Sequence, residues 1–487
     1  MRPHAVLAVT AALFYAPAVW AASATPEQAQ TIKTALEKYL GRGTGPDGSS
    51  VKVTPDNERY AVDLDLKRLF QPLEALGFQL EPFTYRLILA PQDSGTWRVT
   101  NGGTTRLTAK MGDRTFSLAM NGTQFDGVFD PAIPFFTHST TSYDSLSFGS
   151  AGGPGETQTR DVKGGKMEAT AEKVGDGVIT IHSTQSATET VQDSAGGSPR
   201  PGVTAPVAPK FSLKFGPSND EGRVEGLRIR SLMDLWAFFV AHASEESIKA
   251  DQEQLRTLLR AALPVLNHIS QKTSIDTAAV TTELGDFAVK SAAASLDMKG
   301  LVADGQIGTD IGIDGLAIPT GLIPSWAEGL LPTSVALKES FSGFHLDGAS
   351  QEIVNTFDLK AKDPLAPDTV ERLKTLVGPL DNMAVTIAPS RLVSRLLDAK
   401  FEGRVQLKMP MPDVDVTIAV TGMDNAIKDI QSKAEGDEHA KQLIAVLLLS
   451  KGFGKAEANG ALSWHVTSDG SGGFLVNGVA LPFGPGK

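Results

Sequence analysis

Aspartate and glycine alternate with isoleucine in the stretch DGQIGTDIGIDGLAIP (304–319), and such carboxylates could bind calcium. An EF-hand loop that begins at Asp310 would place Asp314 at a ligand position. Gly312 would then stand where the second ligand belongs, and Gly321 where the terminal glutamate belongs. Half of the ligands are missing, so the sequence predicts no metal site in this stretch.

The same stretch has the two-residue period of a β-strand. Ile307, Ile311 and Ile313 point to one side, whereas Asp310 and Asp314 point to the other. Two aspartates four residues apart in an extended chain are about 13 Å from each other, which is too far to share one ion. We therefore predict a strand with one apolar face.

A second strand of this kind is predicted in PMPDVDVTIAVTG, where valine and isoleucine alternate with aspartate. A sheet with one apolar face must cover that face with helices, with another sheet or with a ligand. The residues predicted to form either a core face or an apolar binding groove are Ile307, Ile311, Ile313, Val414, Val416 and Ile418.

Motifs of catalysis and metal binding are missing from the sequence. The eight histidines show no HExxH or paired-ligand spacing, and there is neither a GxSxG nor a P-loop motif. His242 comes nearest to a cluster, with Glu245 and Glu246 just after it, but a helix N-terminus explains these two glutamates without a metal. We predict no catalytic, metal-binding or cofactor-binding residue and no cofactor.

Residues 1–24 have the parts of a secretory signal peptide. Arg2 supplies the positive charge, Ala5 to Val19 is almost wholly apolar, and small residues suit cleavage between Ala21 and Ala24. The apolar run is shorter than the ~20 residues that span a bilayer. Because the chain has no cysteine, it forms no disulfides, and the predicted location is the bacterial periplasm or the surrounding medium.

The formal net charge of −11 disfavours binding to nucleic acid or to anionic lipid surfaces. No block of lysine and arginine marks an RNA-binding surface, and no later segment is long and apolar enough to span a membrane. The sequence therefore predicts no nucleic-acid partner and no transmembrane segment after signal cleavage. It gives no indication of the oligomeric state.

One helix opens the predicted mature chain. Thr25 and Pro26 suit its N-terminus, and Gly41 suits its end. Alternation with period two then extends from Val51 to about Phe215. This pattern is typical of antiparallel strands with one buried face.

Turns and loops are predicted at four glycine-containing positions among these strands. The Asn-Gly pairs at 101–102 and 121–122 are typical of hairpin turns. The stretches GSAGGPGETQTRDVKGG from Gly149 and DSAGGSPRPGVTAPVAP from Asp193 are predicted to be long loops. The second of them is the preferred position for a domain boundary.

Helices and strands alternate in blocks over the rest of the chain. A helical block is predicted between a Ser244 cap and Pro264, and strands are predicted from Phe287 to Leu359. Further helices are predicted at 368–377, at 390–398, and at 421–451 with a break near Gly436, followed by a hairpin in LSWHVTSDGSGGFLVNGVALPFG.

This order predicts an α+β fold with large, curved, mostly antiparallel β-sheets on which amphipathic helices pack. The predicted divisions are a signal peptide (1–24), a β-rich N-terminal region with long Gly/Pro-rich loops (25–215), and a C-terminal region of helices followed by sheet (216–487). The two regions could be distant structural copies, and the sequence leaves open whether they form one domain or two.

Three stretches, TPEQA, DVDVTIAVTGMDNAIKDI and GGFLVNGVALPFG, together resemble an exported alphaproteobacterial family, domain of unknown function twenty-one twenty-five. That family is similar to the YdgA-type and AsmA-like envelope proteins. The resemblance covers nearly the whole mature chain and implies a periplasmic, β-rich protein with no catalytic residues to transfer. AsmA-like proteins are associated with lipid movement and envelope maintenance, so an apolar groove is implied by analogy. The cleavable signal departs from the membrane-anchored members.

Two functions are compatible with the sequence. The first is a non-enzymatic periplasmic envelope protein that holds a lipid or another apolar ligand in a sheet groove, with a lipid or an envelope protein as its partner. The alternative is a secreted hydrolase of glycan or peptide whose carboxylates are brought together by the fold. An apolar groove would favour the first, and a polar cleft with two carboxylates about 5 to 10 Å apart would favour the second.

Overall fold

The structure, a computed structural model, describes residues 24–41, 48–71, 74, 77–152, 156–196, 210–242, 244–300, 302–409, 411–434, 436–468 and 473–480. The predicted signal peptide, apart from Ala24, lies outside the described residues, as does most of the loop predicted from Asp193. Within the described part of the chain, no helix is both long and apolar enough to cross a membrane.

The chain forms two compact units, which we call the N-terminal unit and the C-terminal unit. The N-terminal unit comprises Met1–Ile269 and Ser350–Thr369, and the C-terminal unit comprises Ser270–Ala349 and Val370–Lys487. This division falls later than the one predicted at residue 215. The pairing of strands and the packing of helices, given below, explain the difference.

In the N-terminal unit, the helices are α1 (Pro26–Leu40), α2 (Leu66–Phe70), α3 (Ile229–Ala241), α4 (Glu245–Ala250) and α5 (Gln252–Ala262). Its strands are β1 (Val51–Asp56), β2 (Arg59–Asp65), β3 (Phe78–Leu80), β4 (Thr84–Pro91), β5 (Trp97–Met111), β6 (Arg114–Asp130), β7 (Phe135–Gly152), β8 (Glu156–Gly175), β9 (Val178–Ala187), β10 (Glu189–Ala195), β11 (Phe211–Phe215) and β12 (Ser218–Leu227). Three elements run across a point of division, namely β13 (His268–Ile275), α6 (Asp347–Thr356) and α7 (Pro367–Leu376).

In the C-terminal unit, the helices are α8 (Met423–Lys433) and α9 (Glu438–Phe453), with 3-10 turns at Glu328–Leu330 and Leu380–Asn382. Its strands are β14 (Ala278–Thr282), β15 (Gly285–Val289), β16 (Ser291–Lys299), β17 (Gly305–Asp314), β18 (Pro332–Phe344), β19 (Ala384–Ser394), β20 (Asp398–Gln406), β21 (Asp413–Thr421), β22 (Lys455–Ala456), β23 (Leu462–Ser468), β24 (Phe474–Val476) and β25 (Val479–Ala480).

Residues 216–269 belong to the N-terminal unit because their elements pack there. Strand β12 pairs with β9 in an antiparallel ladder. Val354 and Phe357 of the returning segment 350–369 share a buried cluster with Leu255 of α5. A division after residue 215 would separate these partners.

Helix α1 confirms the prediction for the start of the mature chain. The side chain of Thr25 accepts a hydrogen bond from the backbone N–H of Gln28 at 3.2 Å, as an N-cap should. Gly41 ends the helix with a φ of +81°, a conformation that glycine adopts without strain. Ile32 and Leu36 are fully buried, and they form the N-terminal core with side chains of β1, β2, β4 and β5.

Strands β4 to β9 form a meander in which each strand pairs antiparallel with the next. Three of the long strands of this meander, β5, β6 and β8, each contain a glycine with positive φ near mid-length. These are Gly103 (+115°), Gly122 (+64°) and Gly164 (+57°), a row that we call the crease. The ladder between β5 and β6 shifts register just after Gly103, as at a β-bulge.

The crease corrects two predictions about turns. The Asn-Gly pairs at 101–102 and 121–122 lie inside β5 and β6, not at hairpin turns. The stretch from Gly149 is also mostly strand, since β7 extends to Gly152 and β8 begins at Glu156. At the crease, glycine supplies a left-handed backbone within a strand, a use that local sequence does not distinguish from a turn.

The crease divides the sheet of the N-terminal unit into an inner half, which contacts the helices, and an outer half. In the outer half, β3 pairs with the end of β5 and β10 pairs with the start of β8. Among the described residues, none of the buried clusters includes an outer-half side chain. Phe148, for example, is only half-buried, and its ring lies 6.5 Å from that of Phe116.

Helix α3 was not predicted from the sequence. Its segment IRSLMDLWAFFVA contains an unbroken apolar run from Leu235 to Ala241, which hides the helical period in the sequence. Met233 and Ala237 pack with Ile179 of β9 and Tyr39 of α1. Trp236 donates a hydrogen bond from its indole nitrogen to the carbonyl oxygen of Tyr39 at 2.8 Å, which ties α3 to the end of α1.

Neighbouring strands from β16 to β21 pair antiparallel in sequence order, and β23 pairs next to β21. The predicted α+β class with mostly antiparallel sheet is therefore confirmed. The predicted helix at 390–398 is wrong, because these residues end β19 and begin β20. A register shift between Ile387 and Ser390 displaces the apolar phase there and imitates helical spacing. The predicted strands up to Leu359 are also wrong at 347–356, which form α6.

The predictions for the end of the chain are confirmed. Helices α8 and α9 occupy the predicted segment 421–451, and Gly436, with a φ of +86°, lies at the break between them. The terminal hairpin forms between β23 and β24. Met423 and Ile427 of α8 pack on Trp464 of β23 and so cover that end of the sheet.

Candidate functional site

One side of the C-terminal sheet is apolar across six strands. Residues directly opposite each other in an antiparallel ladder place their side chains on the same face. The ladders thereby assign to one face, which we call the apolar face, Ala292, Ala294, Leu296, Met298, Ile307, Thr309, Ile311, Ile313, Val335, Leu337, Glu339, Phe341, Val385, Ile387, Val405, Val414, Val416 and Ile418.

All six residues predicted as a core face or groove lie on this apolar face, although they come from β17 and β21, which are not adjacent. Ile307 lies opposite Phe341 and Ile311 lies opposite Leu337. Through β19 and β20, the same face continues to Val414 opposite Val405. The structure thus brings two separate sequence patterns onto one surface.

The residues between the two patterns were missed by sequence reasoning. In β18, Val335, Leu337 and Phe341 alternate with polar residues, but Glu339 interrupts the apolar series. In β19, the register shift after Ile387 breaks the alternation. The period-two signal was therefore present in β18, but one of its positions on the apolar face carried a charge.

Among the described residues, the buried cluster that joins helices to the apolar face lies at one end of that face. Ile418 packs with Met423 and Trp464, so it belongs to the core. At the other end, Leu296, Ile307 and Ile311 are 36%, 37% and 38% exposed. Among the described residues, no buried cluster includes a side chain of β16, β17 or β18. We call this end, formed by β16 to β18, the open end.

Polar atoms are scarce at the open end. The hydroxyl of Thr309 donates a hydrogen bond to a carboxylate oxygen of Glu339 at 3.2 Å. The aliphatic neighbours of Glu339 on this face are Leu337 in its own strand and Ile387 opposite it in β19. A carboxylate with one hydroxyl partner is therefore set into an apolar surface.

The opposite face of the same sheet is polar, and several of its carboxylates form ion pairs. Asp310 lies 3.3 Å from Lys338, as expected for a position pointing away from Ile311. A hydrogen bond from Arg391 lowers the pKa of Asp398 below its ordinary value. Across the described residues, each carboxyl whose pKa departs from its ordinary value is shifted down. A general acid needs the opposite shift, so these carboxyls are poorly suited to donate protons at neutral pH.

The histidine that the sequence placed nearest to a cluster has a different partner in the structure. His242 donates from Nδ1 to the carbonyl oxygen of Phe238, and its Nε2 lies 2.9 Å from a carboxylate oxygen of Asp251. Glu245 instead pairs with Lys249. No group of three His, Asp or Glu side chains within the described ranges could hold a metal ion.

His242 should make the stability of the N-terminal unit depend on pH. The backbone hydrogen bond to Phe238, and then the contact with Asp251, raise its pKa above the ordinary value of 6.5. A raised pKa in the folded state stabilises the protein fully below pH 6.5, and this contribution is lost as pH rises through the folded value. We expect the melting temperature to fall over that interval in the wild type and to stay flatter in His242→Gln. Equal pH profiles for the two proteins would contradict this assignment.

No protein-family model, curated protein or solved structure matches the chain. The open end of the apolar face is therefore the candidate site on physical grounds alone. It offers an apolar surface that is partly exposed at Leu296, Ile307 and Ile311 and that carries the carboxylate of Glu339.

Proposed function

We propose that this protein is a non-enzymatic envelope protein of the bacterial periplasm that binds the acyl chain of a lipid on the open end of the apolar face. The apolar face, exposed at Leu296, Ile307 and Ile311 while the far end is covered by α8 and α9, is the observation that carries the proposal. A signal-like start and the resemblance to AsmA-like envelope proteins support the location and the lipid.

The free energy of burying apolar surface favours a bound ligand over an apolar face that stays exposed to water. Burying apolar area is favourable by about 25 cal/mol per Å², and large contiguous apolar surfaces on soluble proteins mark binding sites more often than chance. An acyl chain contributes about 0.8 kcal/mol for each CH₂ group that it buries. A chain lying across β16 to β18 would contact several isoleucine and leucine side chains at once, so each CH₂ group that it buries there adds to the affinity.

Ile311→Asp tests the proposal directly. Because Ile311 is already 38% exposed, a carboxylate there should cost no more than about 1 kcal/mol of stability. It would, however, place a charge in the path of the acyl chain, and we expect the affinity for dodecyl maltoside below its micelle concentration to fall at least about tenfold. Isothermal titration calorimetry measures the affinity, and the urea midpoint measures stability.

Ser340→Asp is the matched control, since Ser340 lies on the polar face of β18 and gains the same charge. It should leave detergent affinity unchanged. Lipid extracted from protein purified out of the periplasm and identified by mass spectrometry gives an independent check. If the wild-type protein binds no dodecyl maltoside and carries no lipid, the proposed function is wrong.

A further inference from the structure

We propose that the bound lipid carries a primary ammonium in its head group and that Glu339, assisted by Thr309, recognises it. This inference rests on the proposed function, because it concerns the same open end of the apolar face. It adds the chemical class of the ligand, an amine-bearing lipid. The carboxylate of Glu339 would distinguish such a lipid from anionic and sugar-bearing lipids.

The charge pattern of the sheet supports this role for Glu339. Several acidic residues on the polar face have cationic partners, such as Lys338 for Asp310 and Arg391 for Asp398. Glu339 is exposed on the other face, and in the described part of the chain no lysine, arginine or histidine forms an ion pair with it. The carboxylate of Glu339 accepts a hydrogen bond from the hydroxyl of Thr309, and further acceptor positions on it stay open.

The position of Glu339 matters as much as its lack of a cation. Ile307 and Ile311 flank Thr309 on β17, and Leu337 and Phe341 flank Glu339 on β18. A ligand that covers these apolar side chains would also remove water from the carboxylate. Covering an unpaired carboxylate is costly, whereas a charge-assisted hydrogen bond from an ammonium group offsets that cost. An ammonium lipid is thus favoured, and an anionic lipid is repelled.

Two amphiphiles with the same twelve-carbon chain test the selectivity. Calorimetric titrations of the full-length mature protein with dodecylammonium and with dodecanoate, both below their micelle concentrations and in 150 mM salt, give the ratio of the two affinities. We expect the wild type to bind dodecylammonium at least about tenfold more tightly. In Glu339→Gln the two affinities should come within about twofold of each other.

Asp310→Asn controls for the general attraction of cations to an acidic protein. It removes the same charge from the opposite face of the neighbouring strand, so the affinity ratio should stay at the wild-type value. The far-UV circular dichroism spectrum and the urea midpoint of Glu339→Gln, compared with those of the wild type, show whether the variant is folded.

The outcomes separate this inference from the proposed function. If the wild type binds both amphiphiles equally, or if Asp310→Asn lowers the ratio as much as Glu339→Gln does, the ammonium preference is wrong while lipid binding stands. Glu339 would then be a charge that prevents another sheet from packing on an exposed apolar surface. If neither amphiphile nor dodecyl maltoside binds, both proposals fail.

Discussion

Gly422→Ala is expected to lower the free energy of unfolding of the C-terminal unit by about 3 kcal/mol or more. Gly422 joins β21 to α8 with a φ of +87°, a left-handed conformation that disfavours alanine. A Cβ atom there would also overlap the carbonyl oxygen of Leu396, in the turn between β19 and β20. A backbone atom cannot rotate away as a side chain can, so the turn or the start of α8 has to move.

Gly436→Ala is the control that separates conformation from overlap. Gly436 has a similar φ of +86° but has no atom within 4 Å of the position that a Cβ would occupy. Its substitution should therefore cost only the left-handed strain, about 1 to 2 kcal/mol. Urea midpoints of the two variants, followed by far-UV circular dichroism, give the comparison. Equal midpoints would mean that the contact between Gly422 and Leu396 does not constrain the fold.

Phe129→Ala is expected to destabilise the N-terminal unit by about 3 to 5 kcal/mol, the usual cost of removing a fully buried aromatic ring. Phe129 is 0% exposed and lies in the cluster formed by α1 and the inner half of the sheet. Its ring meets that of Phe136 edge to face at 5.5 Å. Deleting the ring removes this contact and leaves a cavity among side chains that the helix and the sheet hold in place.

Phe148→Ala removes the same ring from the outer half of the sheet. Phe148 is only half-buried, and we expect a loss of about 1 kcal/mol, because less apolar surface is exposed by its removal. The difference between the two urea midpoints measures how far the core extends from the helices. Similar losses at both positions would contradict the placement of the core in the inner half.

The fold class followed from the sequence, whereas several element boundaries did not. Helices α1 and α8 carry apolar stripes, α1 and α9 begin at side-chain caps, and Gly436 marks the break between α8 and α9, so each was predicted. Helix α3 contains an unbroken apolar run from Leu235 to Ala241, which masks its period in the sequence. The Asn-Gly pair at 121–122 led to a wrong prediction, because a glycine with positive φ occurs both in hairpin turns and in irregularities within a strand.

The candidate site could be predicted only in pieces. Alternation fixes which side of a strand Ile311 or Val416 faces, because the period of a strand is two. It does not state which strands are neighbours, since the pairing of β17 with β18 and of β20 with β21 depends on contacts between distant residues. The exposure of Ile311 depends in turn on where α8 and α9 pack. The sequence pattern alone therefore did not decide whether these residues lie in a buried core or in a binding groove.

The crease has a consequence for how the N-terminal unit opens. At Gly103, Gly122 and Gly164, positive φ interrupts the regular extended backbone of three long strands at one level. The outer half can then lose its ladder without disturbing the buried side chains around α1. Local opening of this kind divides a protein into regions of different protection, so amide protons beyond the crease exchange with solvent before those of the inner half.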